Sequence, residues 1–163
     1  MRPRTVVFSL LLSGCGRDPA ELTVSVVEPV IANAQYFHGN CFAGFSFGVD
    51  LRVQETAGVG VVLSRLVYRL ADQGTAEVIS DESLDARAIE QRYGAGASTL
   101  PSNGIRLYHL VGVSRQPVGP ISVAGEIEGL DDNEQRVAEA FQLSAALAVN
   151  DPGPPSDGAC STP

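Results

Sequence analysis

Between Ala43 and Gln54 the chain alternates by residue: Ala43, Phe45, Phe47, Val49, Leu51 and Val53 on one phase, Ser46, Gly48, Asp50, Arg52 and Gln54 on the other. Successive side chains of a strand point to opposite faces, so this period of two specifies one long strand with a single buried side. Cys41 shares the buried phase and is expected to point inward at the start of that strand.

A buried face of this length needs partners, and the flanking sequence supplies strand-like runs. Leu22-Thr23-Val24-Ser25-Val26 alternates and stops before Pro29; residues 30–40 read as a connection with a turn at Gly39-Asn40. Gly58 and Gly60 break the long strand, and Val61 to Leu70 is aliphatic with a blurred alternation, Arg65 and Arg69 lying opposite Leu66, Tyr68 and Leu70. Asp72-Gln73-Gly74 is a turn leading to a short strand around Ala76 to Ser80. Residues 81–93 are the one helix candidate: Leu84 with Ala88 and Ile89 with Tyr93 are spaced by four, and Gly94 stops them. A loop with one helical turn fits the same stretch. After a turn at Leu100 to Gly104, the residues Ile105, Leu107, His109, Val111 and Val113 alternate again. Ile121 to Leu130 and Arg136 to Val149 form a hairpin joined by residues 131–135; its second strand buries Val137, Phe141, Leu143, Ala145, Leu147 and Val149. Residues 150–163 hold four prolines, two glycines and no periodicity, which makes them an extended tail.

About seven strands with turn signals between them predict an all-β protein, a single antiparallel β-sandwich over residues 21–149. The layout resembles immunoglobulin-like and fibronectin type III-like modules of bacterial envelope proteins. It departs from them in having no Trp and no cysteine pair at the usual inter-sheet positions, and a jelly roll or small barrel fits the same strand count.

The chain begins with Arg2 and Arg4, an apolar stretch from Thr5 to Leu12, then Leu12-Ser13-Gly14-Cys15. The stretch is far short of the roughly 20 residues needed to span a bilayer as a helix. Positive start, short apolar middle and small residues are the parts of a cleavable export signal. With the cysteine they resemble the lipobox of bacterial lipoproteins. The other readings are an ordinary secretory signal or an apolar first strand. The resemblance implies that residues 1–14 are removed, that Cys15 carries acyl chains such as palmitate, and that residues 15–20 are a tether. It also implies the outer membrane, periplasmic or surface face, because Gly16 stands where inner-membrane retention uses Asp. Fully extended, Gly16 to Ala20 reaches less than about 20 Å, so the body would sit near the lipid.

Spending Cys15 on lipid leaves Cys41 and Cys160 as an even pair in an oxidising compartment. An intramolecular disulfide is the expectation, worth at most about 4–5 kcal/mol for so long a loop. Two free thiols or an interchain bridge would also account for the pair. Without residues 1–14, nine Arg face nineteen Asp plus Glu, a net charge of −10. Nucleic acid and anionic headgroups both ask for clustered positive charge, so neither is expected as a partner of the body; membrane contact would come through the lipid.

Candidate chemistry is sparse. Gly44-Phe45-Ser46-Phe47-Gly48 matches the pattern of a hydrolase nucleophile elbow, but that device needs a strained turn and a helix after Ser46, whereas the strand simply continues. The two histidines are His38, in a turn-rich connection, and His109, on the apolar phase of its strand and expected to be partly buried and hydrogen-bonded. Asp131, Asp132 and Glu134 gather oxygen ligands in one loop, but the helix-loop-helix calcium pattern is excluded by Arg136 and Gln142 at its sixth and twelfth positions. A loose calcium site there is the weak alternative to a polar hairpin loop. The expected function is therefore a non-enzymatic, lipid-anchored envelope protein without cofactor, whose sandwich binds a protein or glycan or serves as a structural module. The alternative is a small-ligand binder with a cavity between the sheets.

Overall fold

The computed structural model describes residues 18–27, 34–38 and 41–146, without the side chains of Tyr36, His38 and Cys41. Its elements are β1 (Leu22–Val26), β2 (Ala34–His38), β3 (Cys41–Glu55), β4 (Val61–Asp72), β5 (Val78–Asp85), α1 (Ala86–Tyr93), β6 (Thr99–Leu100), β7 (Ile105–Ser114), β8 (Ile121–Asp131) and β9 (Arg136–Ala145). They form an all-β, antiparallel sandwich of two sheets. In the four-stranded sheet β3 is central, with β1 on its C-terminal half and β2 on its N-terminal half along one side, and β7 on the other. The five-stranded sheet runs β5-β4-β8-β9, with β6 on the beginning of β4. β1 lies against β9 and β5 against β7, closing the long sides of the sandwich.

The long strand forms as its alternation requires: Phe45, Phe47, Val49, Leu51 and Val53 are buried. Ala43 is exposed instead, because the alternation breaks beside it. Tyr36 pairs with Gly44 but Phe37 with Phe42, so Ala43 is the extra residue of a β-bulge, and Gly44 takes φ +150°. A Cβ on Gly44 would also lie 2.4 Å from the Ser114 carbonyl oxygen. The bulge brings Phe42 onto the Phe45 ring, edge to face at 5.1 Å. The inward phase expected of Cys41 assumed unbroken alternation; its side chain lies outside the described residues.

The blurred alternation of β4 has the same kind of cause. A register shift between Leu63 and Arg65 makes Ser64 the surplus residue, so Leu63 and Leu66 both point inward. The hairpin of β8 and β9 forms with Val137, Phe141 and Ala145 buried; Leu147 and Val149 lie outside the described residues. Among the described residues the sandwich has nine strands rather than about seven, because β2 appears within the expected connection and β6 is a two-residue bridge. The helix begins five residues later than 81: Asp81 to Asp85 continue the pairing of β5 with β4, and the Asp85 carboxylate caps α1 by accepting the Ala88 N–H at 2.8 Å.

The largest departure is in β7. Tyr108 and Leu110 are fully buried, while Ile105, Leu107, Val111 and Val113 are 44–58% exposed. The more aliphatic phase is thus the outer one, and Tyr108 and Leu110 are the anchors of the inner one. Tyr108 donates its hydroxyl to the Ala97 carbonyl at 2.7 Å and stacks edge to face on Tyr93. On the same inward phase Gly112 makes room for Phe47, whose ring tip would lie 2.3 Å from a Cβ there.

Candidate functional site

Where β7 borders β5 and α1, a cleft of about 420 Å³ opens, lined by Tyr68, Glu82, Arg92, Tyr93, His109 and Val111. Each side chain arrives from a different constraint. Tyr68 lies on the inward phase of β4, Glu82 on β5, Arg92 and Tyr93 in the last turn of α1, and His109 and Val111 on β7. Arg92 ties the floor together, donating to the Tyr68 hydroxyl at 3.0 Å and, through a short contact, to Glu82. Burial pushes the Tyr68 phenol well above its ordinary value, so it stays protonated. The Tyr93 phenol is also raised by burial, partly offset by the Arg92 charge beside it. Its hydroxyl is buried with no hydrogen bond of good geometry among the described residues. Such a floor offers hydroxyls and one guanidinium edge to a small polar ligand.

His109, at the rim, holds Asp50 across the β3–β7 pair, Nδ1 to Oδ1 2.8 Å, with both side chains more than a third exposed. The expectation that His109 would be partly buried is thus corrected: it is hydrogen-bonded but lies on the outer face, because β7 turned its other phase inward. A carboxylate-histidine pair becomes catalytic when it reaches a nucleophile. Ser46 is four residues along β3 from Asp50, about 13 Å by strand rise, and its hydroxyl points to the Ala34 carbonyl at 3.5 Å on the far side of β3. The strand continues through Ser46 without a turn.

The acidic hairpin loop is put to another use. Asp131 is buried, Oδ1 accepting the N–H groups of Asn133 and Gln135 at 2.8 Å and Oδ2 that of Ala20 at 3.2 Å. Asp132 accepts the Gly60 N–H at 3.1 Å, and Glu134 sits at a left-handed turn position, φ 60°. Main-chain amides therefore occupy oxygens that a cation would need. Among the described residues no group of three His, Cys, Asp or Glu is placed to hold a metal ion.

Two further carboxylates do the same work and escaped the sequence reading. Glu55 accepts from Ala57, Gly58 and Asn103 at 2.7, 3.0 and 2.7 Å. Asp72 accepts from Gly74, Thr75 and Gly119 at 2.9, 2.8 and 2.7 Å. Burial alone would raise Glu55 and Asp131, but the converging N–H groups outweigh it and hold both below the ordinary carboxylate value. For Asp72 the Gly119 N–H is the largest influence, and it too is held low. All three are the last residue of a strand on its inward phase, each directly before a turn. That combination was visible in the sequence.

Leu12, Ser13, Gly14, Cys15 and Cys160 lie outside the described residues, as do the side chains of His38 and Cys41. No protein-family model and no curated protein matches the chain. Among solved structures, it is similar to a protein described as ApaA from Bordetella pertussis (15% identity, 83% of this chain, 100% of that one, TM-score 0.49). It is also similar to a structural-genomics X-ray structure (11%, 80% and 86%, 0.48) and to a CARDB domain from Pyrococcus furiosus solved with di-metal ions (12%, 86% and 100%, 0.40).

Proposed function

We propose that this chain is a lipid-anchored, non-enzymatic envelope protein whose sandwich is a binding or structural module for a protein or glycan. The observation that carries the reading is the order of residues 2–15, basic start, short apolar stretch, small pair and cysteine, ending three residues before the described body begins at Asp18. On this reading, acyl chains on Cys15 moor an acidic body that would not bind anionic lipid by itself, in the outer membrane of the cell envelope. The buried acids support a non-enzymatic role, since each is committed to turn amides. Metabolic labelling with a palmitate analogue tests the anchor: label should enter the wild type and be lost in Cys15→Ala. Equal labelling of both would refute it.

A second reading, a small-ligand site, is favoured by the Arg92 cleft and the Tyr68 and Tyr93 hydroxyls that line it. It expects a small polar ligand that raises the melting temperature of the wild type and not of Arg92→Ala. An equal shift in both would remove the cleft from consideration.

A further inference from the structure

Among the described residues β7 pairs only with β3, and its other edge carries no strand. The Asp50 carbonyl accepts the Val27 N–H on the β1 side of β3 at 2.9 Å, and Glu55 donates across to the Gly104 carbonyl at 3.0 Å. Main-chain groups of an antiparallel strand alternate in direction. Those of Arg106, Tyr108, Leu110 and Gly112 therefore face β3. Those of Ile105, Leu107, His109, Val111 and Val113 face off the edge. The same five residues form the exposed outer row, four of them aliphatic. Natural sheets usually guard such an edge with lysine, proline, inward charge or a covering element; β7 has no lysine or proline, and although Arg106 lies on its inward phase and β5 runs beside it, β5 does not pair with it.

The row is a palindrome in character. Leu107 and Val111 flank His109 at two residues, Ile105 and Val113 at four. An antiparallel copy centred on His109 would set Leu107 opposite Val111 and Ile105 opposite Val113, aliphatic against aliphatic at every pair but the central one. Charge points to the same place. Two copies of a chain of net charge −8 repel unless they meet where carboxylates are absent or matched. The row contains no acid, and Asp50, across from it on β3, is matched by His109. On neighbouring β5, Asp81 pairs with Arg69, Glu82 with Arg92, and Asp85 caps α1.

We propose that two copies of this chain join along the free edge of β7, antiparallel about a two-fold axis through His109, and make one continuous eight-stranded sheet. This deepens the module reading by naming a protein partner, and it does not depend on the lipid anchor. The shared edge is about 34 Å long and would exchange about ten main-chain hydrogen bonds between five outward residues of each copy. So narrow a strip lies at the small end of specific interfaces, which fits dissociation in the micromolar range.

Sedimentation velocity of the full chain carrying Cys15→Ser, kept in reductant to remove interchain disulfides, tests the pairing. The expected result is a reversible monomer–dimer equilibrium. Leu107→Lys should weaken it about 100-fold by burying an unmatched charge. Adding Val111→Glu to that variant should restore affinity to within about tenfold, because only the register centred on His109 sets the new lysine opposite the other copy's new glutamate. Ala138→Lys, on the outer row of β9, should leave the dimer unchanged. Circular dichroism should be the same for all variants, since these side chains are exposed. A chain monomeric throughout the micromolar range, a dimer indifferent to Leu107→Lys, or a double variant that stays monomeric would each overturn the pairing. None of these outcomes alters palmitate incorporation at Cys15, so failure here and failure of the anchor are separable.

Discussion

β7 and β9 are both ten-residue strands at the edge of a sheet, and both bury alternate residues, yet their outer rows differ. β9 shows Arg136, Ala138, Ala140, Gln142 and Ser144; β7 shows Ile105, Leu107, His109, Val111 and Val113. The inner rows explain what the two share, since Tyr108 and Leu110 serve one sheet as Val137 and Phe141 serve the other. Nothing in the fold of the monomer requires the difference outside. β9 is flanked by β1 as β7 is by β5, and it carries the small and polar surface of a strand that stays in water. β7 carries the surface of a strand that expects company. Where packing is satisfied by one phase of a strand, aliphatic character on the other phase is informative about partners.

The inward rows should be equivalent and the outward rows should not matter to the monomer. Tyr108→Ala and Phe141→Ala are each expected to cost about 3–5 kcal/mol in chemical denaturation, the range for a large aromatic removed from a core. On the outer faces, Leu107→Thr and Ala138→Thr should each stay within about 0.5 kcal/mol when measured at low protein concentration. A cost above about 2 kcal/mol for Leu107→Thr in the monomer would break the comparison, because it would mean that some part of the same chain covers β7.

Much of the fold was legible because period-two patterning is strong where one phase is plainly polar, as in β3 and in the hairpin of β8 and β9. It failed where that condition failed. In β7 the more aliphatic phase is the one left outside, and the choice fell to Tyr108, whose hydroxyl finds the Ala97 carbonyl only once β6 and the segment after α1 are in place. The bulges at Ala43 and Ser64 are equally invisible locally, since each depends on the register of a neighbouring strand. The cleft was illegible for the same reason: Tyr68, Glu82, Arg92 and His109 are spread over four elements and converge only through the topology. Glu55, Asp72 and Asp131 were readable, because an acid on the apolar phase at the last residue of a strand has turn amides as its natural partners.

Those acids also distinguish how the two edge strands are fastened, and their removal should have the smaller, pH-dependent effect. β7 is pinned at both ends, by Glu55 on the Asn103 N–H before it and by Asp72 on the Gly119 N–H after it. β9 is pinned at its start by Asp131 on the Gln135 N–H. All three carboxyls are held below their ordinary value, so the unfolded chain takes up protons at a higher pH than the folded one. Their contribution is fully present above about pH 4–5, where the unfolded carboxylates are ionised, and is lost as pH falls through the lower folded values. Asp72→Asn is expected to cost about 1–3 kcal/mol at pH 7, since it replaces charged acceptors of buried amides by an amide that matches them poorly. Because the variant lacks this titration, the wild-type advantage should shrink steadily below pH 4. Melting temperatures of the two proteins that fall in parallel from pH 7 to pH 3 would show that Asp72 does not fasten the exit of β7 through its charge.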